Sequence, residues 1–452
     1  MNPGLDDTIA AVATPPGRGA VALVRVSGPG AGMVLLRLCR RERLPPPRRQ
    51  LLLPVHDPET GELLDRSLAT WFPAPYSYTG EDTAELSTHG GSLVPRLILD
   101  AALAAGARTA RPGEFTRRAY LNGKLDLLQA EAVLDLIDGN SRALHRAALF
   151  QLERGLSRRV AELREGVIGV EAMTVYAIDF PEEDEPPVPA GRISEQARRV
   201  AGEIDRLLAT APEGEALRAG ALAVLAGRPN SGKSSLFNAL LGSERAIVTE
   251  IPGTTRDALE AGITIEGYPF RLVDTAGLRQ TGELVEGKGI EVARRFLEAA
   301  DVILFCAERG RELDGEELDF LRGRGSKTVL VRTKSDLQPA GAAGSGPEEV
   351  PVSAHRGDGL ERLRARLLEL AFSGALAEPG EEPLLTRCRH ARALRAARVQ
   401  LDGFVGDLEA GVPMEFAATR LRDAVAELEQ VVGVVTRDDV LERLFGEFCV
   451  GK

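Results

Sequence analysis

The residues with the clearest chemical potential are the eight of "GRPNSGKS", positions 227 to 234. They match the pattern GxxxxGK[ST], follow the apolar run "ALAVLA" and precede a helical stretch, as a phosphate-binding loop requires. Backbone N–H groups of such a loop surround phosphate oxygens, while a lysine neutralises the β and γ phosphates and a hydroxyl binds Mg²⁺. The sequence therefore predicts a nucleotide site in which Lys233 and Ser234 carry these roles, and a glycine turn without a ligand is the weaker interpretation.

Four further segments follow in the order that a GTPase requires: "GTTRD" (253–257), "DTAG" (274–277), "TKSD" (333–336) and "SAHRGDG" (353–359). The Asp336 carboxylate can accept hydrogen bonds from the guanine N1–H and exocyclic amine, a donor pair that adenine lacks. Asp274 is expected to support Mg²⁺ and Gly277 to sense the γ-phosphate. We therefore predict a GTP site formed by Asn230, Ser231, Gly232, Lys233, Ser234, Ser235, Thr249, Thr254, Thr255, Asp274, Thr275, Ala276, Gly277, Thr333, Lys334, Asp336, Ser353 and Ala354.

The chain departs from the usual GTPase pattern at two positions. Thr333 stands where asparagine is usual, and a hydroxyl replaces only part of the hydrogen bonding of an amide, which affects how tightly guanine is selected. Leu278 stands where Ras-like enzymes place the glutamine that orients the attacking water. Glu286 is a candidate for that role, although spacing alone favours an ordinary solvated loop carboxylate.

The segments that must position these residues differ in sequence pattern along the chain. Up to about residue 120, short apolar runs broken by Pro and Gly indicate a mixed α/β domain. From about residue 125, apolar residues recur at three- and four-residue steps, which is typical of helix. One long amphipathic helix is predicted to bury Leu152, Leu156, Val160, Leu163, Val167, Val170 and Met173.

A third pattern begins at residue 221, where apolar strands alternate with helical stretches as in a doubly wound, mostly parallel α/β domain. Helix returns afterwards, with Leu421, Val425, Leu428 and Val432 on one face. The prediction is an α/β and α fold in which a Ras-like P-loop domain is inserted into a discontinuous helical domain. Its parts are an N-terminal α/β domain (1–120), a first helical part (121–217), the nucleotide domain (218–374) and a second helical part (375–452).

Composition limits the possible functions. The 452 residues carry a formal net charge of -11 and a pI near 5.3, which argues against sequence-blind binding of nucleic acid by the global field. Four dispersed cysteines without a CxxC pair indicate neither a zinc site nor a disulfide framework. No apolar run reaches the ~18 residues of a membrane span, and the first residues lack the pattern of a signal peptide. We expect a cytoplasmic protein without membrane contact.

Beyond the GTPase segments, three long blocks and the last five residues resemble one family. They are "DTIAAVATPPGRGAVALVRVSG" (7–28), "YSYTGEDTAELSTHGG" (76–91), "RPGEFTRRAYLNGKLDLLQAEAVLDLID" (111–138) and "FCVGK" (448–452). They are similar to the tRNA-modification GTPase family MnmE, also called TrmE. The resemblance covers the whole chain and implies a folate-binding-like N-terminal domain that forms a homodimer, a helical domain and an inserted GTPase domain.

The resemblance also implies a reaction and a partner. Members work with the FAD protein MnmG (GidA) in a heterotetramer or larger complex. Together they add an aminomethyl or carboxymethylaminomethyl group to C5 of the wobble uridine of tRNA. The carbon comes from 5,10-methylenetetrahydrofolate, and 5-formyltetrahydrofolate is an alternative ligand. Two other functions remain open from the residues themselves, namely a GTP-switched ribosome-assembly factor and a scaffold whose hydrolysis only recruits MnmG.

Family motifs assign roles to particular residues of this chain. Arg25, Glu85, Lys124 and Lys452 would contact the folate, although without the resemblance an edge-strand arginine and surface charges are the better interpretation. Glu286 would be the catalytic glutamate that positions water. Activation by K⁺ and Mg²⁺ would use the following oxygen donors: Asn230, Thr249, Ile251 and Thr254 for K⁺, and Ser234 and Thr255 for Mg²⁺.

The segment "GEFCVGK" (446–452) places Cys449 three residues before the last one. By itself it is either a frayed terminus or a segment docked elsewhere on the protein. The resemblance implies that it reaches back to the folate pocket, with Cys449 near the substrate as a catalytic residue. Whether the thiol acts as a nucleophile or as an acid stays open.

Three arginine-dense stretches are candidates for contacts to tRNA phosphates: 40–49, 108–118 and 387–398. Such runs more often form a solvated face, and none contains an aromatic interleaved to stack bases. The sequence leaves the tRNA footprint open. Because the chain is acidic, we expect much of the tRNA affinity to come from MnmG.

Overall fold

The structure is a computed structural model that describes residues 6–139, 141–179, 188–242, 260–275, 286–337, 349–377, 383–434 and 438–452, without the side chains of 286–290, 374–377 and 438–440. The chain forms two compact units. One comprises Met1–Leu134 with Val432–Lys452, and the other comprises Asp135–Val431. Within the described residues, no helix is long and apolar enough to cross a membrane.

The first unit is built on a six-stranded sheet with the order β3-β4-β5-β2-β1-β6. Neighbouring strands are antiparallel except β1 and β6, which are parallel. Helices α1 (Ala31–Cys39) and α2 (Val94–Ala104) pack on one face and close an apolar core. The strands are β1 (Ile9–Val12), β2 (Val21–Ser27), β3 (Leu51–His56), β4 (Leu63–Phe72), β5 (Thr83–His89) and β6 (Arg108–Thr109).

Strand β2 shows why an arginine is tolerated inside this sheet. Ala22, Val24 and Val26 are buried, and Val24 and Val26 lie in the core under α1 and α2. Successive side chains of a strand point to opposite faces, so Arg25 lies on the other face. That face carries a smaller apolar cluster that includes Phe115. The sheet therefore separates the main core from the side that holds the charged residues.

Three helices complete the first unit: α3 (Glu114–Leu121), α4 (Leu127–Asp138) and α15 (Asp438–Gly446). Their shared core contains Leu127, Ala130 and Leu134 of α4, and it includes Leu441, Leu444, Phe445 and Phe448 from the end of the chain. Because this apolar surface is buried against α4, residues 432–452 group with the N-terminal unit. The compact units thus differ from the predicted boundaries, which placed 375–452 together in a helical domain.

The second unit contains a six-stranded sheet with the order β12-β11-β10-β7-β9-β8. All neighbours are parallel except the hairpin β8–β9. Strands β7 and β10 are buried along almost their full length, as expected for parallel strands covered on both faces. The doubly wound fold is confirmed. Its strands are β7 (Ala221–Ala226), β8 (Glu260–Ile265), β9 (Tyr268–Asp274), β10 (Val302–Glu308), β11 (Thr328–Thr333) and β12 (Glu349–Pro351).

Four helices alternate with these strands: α9 (Lys233–Gly242), α10 (Glu286–Ala299), α11 (Gly315–Arg324) and α12 (Leu360–Ala377). The remaining helices of the second unit are α5 (Arg142–Leu152), α6 (Gly155–Asp179), α7 (Ala190–Ala209), α8 (Ala211–Ala219), α13 (Cys388–Glu409) and α14 (Met414–Val432). The long amphipathic helix predicted from Leu152 begins instead at Gly155. The left-handed backbone of Arg154 (φ 67°) lies between α5 and α6, and few non-glycine residues adopt it inside a helix.

Candidate functional site

The predicted phosphate loop connects the buried strand β7 to α9 and borders a cavity of about 830 Å³. Asn230 and Gly232 both have positive φ angles, 62° and 85°, which turn the chain sharply before the helix begins. Gly227 also has a positive φ of 125°, and an added Cβ there would collide with the Cys306 carbonyl oxygen. The loop thus needs glycine where it passes closest to β10.

Lys233 and Ser234 lie at the first turn of α9. The Lys233 ammonium donates to the carbonyl oxygens of Gly227 at 2.9 Å and Arg228 at 2.5 Å, so it is held over the loop. The Ser234 hydroxyl donates to the Asp274 carboxylate at 2.8 Å. Hydroxyl and carboxylate oxygens are ligands that Mg²⁺ prefers, so this pair fits that ion.

The "TKSD" segment is tied to the phosphate loop by Thr333. Its hydroxyl donates to the Ser231 carbonyl oxygen at 2.7 Å, with a second acceptor on Ala307 at 3.3 Å. A hydrogen bond from Ser353 lowers the pKa of the Asp336 carboxyl below its ordinary value. The structure therefore joins "TKSD" and the "SAHRGDG" turn, as the motif order predicts.

A second cluster of predicted residues lies in the first unit. Arg25 and Glu85 are direct partners across β2 and β5, and their side chains form an ion pair of 2.8 Å. The Arg25 guanidinium also lies 5.5 Å from the Tyr78 ring centroid and 5.6 Å from that of Phe115. An arginine between a carboxylate and two rings suits a flat ligand with donor and acceptor edges.

The segment 446–452 is docked on this cluster. Val450 pairs with Pro112, the Phe115 N–H donates to the Lys452 carbonyl at 3.2 Å, and the Gly451 carbonyl accepts from Arg25 at 3.4 Å. Burial lowers the pKa of the Lys452 ammonium, and the nearby Arg25 charge adds to this effect. Residues 446–452 are therefore docked on the protein and do not form a frayed terminus.

Two family models match this chain. The model described as the GTP-binding protein TrmE N-terminus matches residues 8–124, and the MnmE helical domain matches residues 127–449. The second match covers well over half of the sequence. The chain belongs to the MnmE family.

Curated relatives agree along the full length, and each is named tRNA modification GTPase MnmE. The protein of Geobacter sulfurreducens is 41% identical, covering 99% of this chain and 100% of its own. That of Azoarcus sp. is 43% identical, covering 99% and 98%. The protein of Methylobacterium radiotolerans is 45% identical, covering 99% of both chains.

Several residues assigned from MnmE motifs lie outside the described residues. For Glu286 the structure gives only its position at the start of α10. Ser235 and Thr275 line the cavity beside the loop, and Ala354 follows Ser353 in the turn after β12. The predicted residues that fall outside are Thr249, Ile251, Thr254, Thr255, Ala276 and Gly277.

Lys124 and Cys449 are placed less closely than the other assigned residues. Lys124 is exposed in the turn after α3, where its stem lies beside Gly80. In the described part of the chain, no hydrogen bond or ion pair joins it to Arg25 or Glu85. Cys449 is an exposed free thiol whose backbone carbonyl accepts from Gly113 N–H at 3.4 Å.

Arg228 lines the same cavity, and its ion pairs are a feature that the motif does not reveal. It lies directly after Gly227 and forms ion pairs with Asp314 and, at 3.3 Å, with Glu317 at the start of α11. These carboxylates also form the capping box of α11. The sequence signal was "DGEE" (314–317), a capping pattern, which indicates a helix start but not its arginine partner.

The sequence also did not predict that Arg118 of α3, in the first unit, is buried, with 1% of its surface exposed. Its guanidinium pairs with Asp7 at 2.5 Å, Glu81 at 3.1 Å and Glu114 at 3.2 Å. Next to it, the hydroxyls of Tyr78 and Thr116 are 2.9 Å apart. Arg118 therefore does not serve as one of the phosphate contacts considered for stretch 108–118.

Proposed function

We propose that this protein is a K⁺-dependent, GTP-hydrolysing tRNA modification enzyme that acts with MnmG. The pair would add an aminomethyl or carboxymethylaminomethyl group to C5 of the wobble uridine, with a carbon from methylenetetrahydrofolate. The observation that supports GTP hydrolysis is that residues of three motifs, Ser234, Thr275 and Lys334, line one cavity. Two hydrogen bonds join these motifs, one from Ser234 to Asp274 and one from Thr333 to the Ser231 carbonyl. Membership of the MnmE family supports tRNA as the client.

In the nucleotide site, Lys233 would exchange its two loop carbonyl partners for β and γ phosphate oxygens. Ser234 and Thr255 would hold Mg²⁺, with Asp274 in support, and the ion would offset phosphate charge. The carboxylate of Asp336 would accept from guanine. Glu286 would orient the attacking water.

The proposed K⁺ site uses Asn230, which lines the cavity and has a left-handed backbone, together with Thr249, Ile251 and Thr254. A monovalent cation there would neutralise charge between the β and γ phosphates, as an arginine finger does in other GTPases. GTP hydrolysis in KCl and NaCl at matched ionic strength tests this, because screening is then equal. Faster hydrolysis in KCl is expected, and equal rates would remove the K⁺ assignment.

The folate would occupy the Arg25 cluster. Support comes from the convergence of a guanidinium, a carboxylate and the Lys452 ammonium beside two aromatic rings. Lys124 would reach the ligand from the neighbouring turn. Cys449 would act on the substrate as nucleophile or acid, which requires that the docked segment hold the thiol near the transferred carbon.

The direct test is reconstitution of the reaction with a labelled donor. The purified chain, MnmG, GTP, MgCl₂, KCl, unmodified tRNA, an amine donor (ammonium or glycine) and methylenetetrahydrofolate carrying ¹³C in its methylene are combined, and tRNA nucleosides are analysed by mass spectrometry. We expect the modified uridine to gain one mass unit, and to be absent with Lys233→Ala. Modified uridine without the label would exclude the folate carbon, and no modification in the complete mixture would exclude the proposed reaction.

A further inference from the structure

The structure separates the three arginine-dense stretches by how much of their charge is already neutralised. In 387–398, Arg387 forms a buried pair with Asp135 at 2.6 Å, and Arg398 binds Asp205 at 3.0 Å. In 108–118, Arg108 and Arg118 are both paired with carboxylates. Each of these two stretches thus places two of its arginines in ion pairs inside its own unit.

The third stretch, residues 40–49, is different, and we call it the arginine loop. Its five arginines are all exposed, and in the described part of the chain none of them forms an ion pair: Arg40, Arg41, Arg43, Arg48 and Arg49. Glu42 is the single acidic residue within it, so five positive charges against one negative leave a formal +4 in a chain of net charge -11. Local charge of this sign and density attracts phosphate groups.

The fold also supplies the aromatic that the loop sequence lacks. Tyr76, far along the chain, is 65% exposed. The Arg48 guanidinium lies 5.5 Å from its ring centroid and donates to the Tyr76 carbonyl at 3.2 Å. An exposed ring with an arginine beside it is a platform on which an unpaired base can stack.

The arginine loop is held in place by the core beneath it. The Arg48 N–H donates to the Trp71 carbonyl at 2.8 Å, and Arg49 N–H donates to Pro46 at 3.3 Å. Arg48 nevertheless has a φ of 59°, a left-handed conformation that costs a non-glycine residue about 1–2 kcal/mol. Such strain persists where the surroundings enforce it, and it often marks a functional position.

We propose that the arginine loop and Tyr76 form an RNA-docking surface, on which the guanidinium groups contact backbone phosphates and the Tyr76 ring stacks on an unpaired base. The inference rests on the proposed function, which supplies tRNA as the RNA. An anionic lipid surface would use the charge alone and has no need of a stacking platform. Arg40 approaches Gly61 in a hairpin that also carries the carboxylates of Glu59 and Glu62. Because these negative charges offset part of the charge of Arg40, Arg43 and Arg49 are the better test positions.

The test is a fluorescence-anisotropy titration of a labelled tRNA transcript with the full chain at several KCl concentrations. Arg43→Gln/Arg49→Gln should weaken binding and lower the slope of log K against log salt by about 1–2, because each lost phosphate contact removes about 0.7–0.9. The matched control is Arg392→Gln/Arg395→Gln, two exposed arginines of α13 that form no ion pair within the described residues. This control should leave the slope unchanged.

Tyr76→Ala should weaken tRNA binding about tenfold without changing the salt slope, and Tyr76→Phe should stay within about twofold of wild type. Polyphosphate, which has no bases, should lose affinity with the arginine variant but not with Tyr76→Ala. The proposal is overturned if the loop and α13 variants behave alike, or if Tyr76→Ala leaves tRNA binding unchanged. Binding of anionic vesicles with the same dependence on Tyr76 would likewise contradict an RNA site.

Failure of this inference can be distinguished from failure of the proposed function. The modification state of the wobble uridine in cells lacking the protein shows whether tRNA is the substrate. The titration shows which surface of the protein contacts the tRNA. If modification depends on the protein but the loop variants bind tRNA normally, only the docking surface is wrong. If modification never depends on the protein, the proposed function fails first.

Discussion

At the scale of single residues, one hydroxyl links the two halves of the candidate nucleotide site. Thr333 donates to the Ser231 carbonyl at 2.7 Å, so the end of β11 and the phosphate loop are fixed relative to each other. Thr333 is 4% exposed, which removes competing water. The unusual threonine of the "TKSD" motif thus keeps a structural bond to the loop.

Thr333→Val keeps the side-chain shape and removes this hydroxyl. We expect the affinity for GDP to fall about 3–10-fold, because one hydrogen bond is worth about 0.5–1.5 kcal/mol. Equilibrium titration with a fluorescent GDP analogue measures the change. Thr333→Ser retains the donor and should bind within about twofold of wild type, whereas a Val variant with unchanged affinity would show that the bond has no role in binding.

We expect the four cysteines to differ in reactivity, because Cys39 and Cys306 are buried whereas Cys388 and Cys449 are exposed. Burial raises the pKa of Cys39 to about 11 and that of Cys306 to about 12. A hydrogen bond to Glu215, followed by burial, raises the pKa of Cys388. Cys449 is exposed in the docked segment. The reactive thiolate should therefore be most accessible at Cys449.

With iodoacetamide at pH 8 we expect Cys449 to be alkylated first and Cys388 more slowly. Cys39 and Cys306 should react only after unfolding in urea. Peptide mass spectrometry over a time course gives the four rates. Labelling of Cys306 in the native protein before Cys449 would contradict the described burial.

At the scale of elements, α3 is the support on which the 446–452 segment docks. The segment passes so close to the end of β1 that an added Cβ at Gly451 would lie 2.7 Å from Ala13 Cα and 2.8 Å from the Val12 carbonyl oxygen. Gly451 also has a φ of 101°, which side chains rarely permit. Glycine is therefore required for this docking.

Gly451→Ala should displace the segment and break the bond from Phe115 N–H to the Lys452 carbonyl. We expect hydrogen exchange to accelerate in peptides containing Phe115, while the β-sheet core stays protected. The control is Gly446→Ala at the end of α15, where no atom lies within 4 Å of an added Cβ. Equal exchange in both variants would show that the docking does not depend on this glycine.

A second element-scale prediction concerns the Arg118 cluster. Arg118→Met removes the buried guanidinium that Asp7, Glu81 and Glu114 share, although Arg108 still pairs with Asp7 and Glu114. It should lower the free energy of unfolding by about 1–3 kcal/mol at pH 7, because hydrogen bonds to buried carboxylates are lost. Urea denaturation measures it. Arg111→Met, at an exposed neighbour, should change stability by no more than about 0.5 kcal/mol.

The pH dependence of this difference has a definite sign. Burial opposes the shift, but hydrogen bonds from Arg108 and Arg118 hold the pKa of Asp7 below its ordinary 3.8. Burial also tends to raise the pKa of Glu114, but hydrogen bonds from Arg108 and from the Arg111 N–H hold it below its ordinary 4.5. The two carboxylates contribute their full stabilisation above their ordinary pKa values, which apply in the unfolded chain. This stabilisation is lost as the pH falls through the lowered pKa values of the folded protein. The gap between wild type and Arg118→Met should narrow below about pH 4.5, and a gap that widens in acid would refute the pairing.

At the scale of the whole molecule, local pattern predicted the fold better than it predicted contacts between distant segments. Strands β7 and β10 are continuous apolar runs because both faces are covered, and such runs can be recognised in the sequence. The short β8, "EAGITI", is only partly buried and has too weak a pattern to be recognised in this way. The grouping of 432–452 with the N-terminal unit depends on burial against α4, which no local pattern encodes.

In the candidate sites, too, the sequence predicts local motifs but not contacts between distant segments. The phosphate loop has a fixed spacing, so Lys233 and Ser234 could be assigned from sequence alone. The partners of Arg228 and Arg118, and the position of Tyr76 beside Arg48, arise from residues distant in sequence. An arginine run has the same composition whether its charges are paired or free, so only the fold separates the arginine loop from the other two stretches.

The central claim is that GTP hydrolysis and the docked thiol serve modification of the wobble uridine. It is tested most directly by nucleoside mass spectrometry of tRNA from a strain lacking this protein, complemented with wild type, Lys233→Ala or Cys449→Ser. We predict that the C5-modified wobble uridine disappears in the deletion strain and returns only with wild type. Modification that persists in the deletion strain, or that both variants restore, would contradict the account.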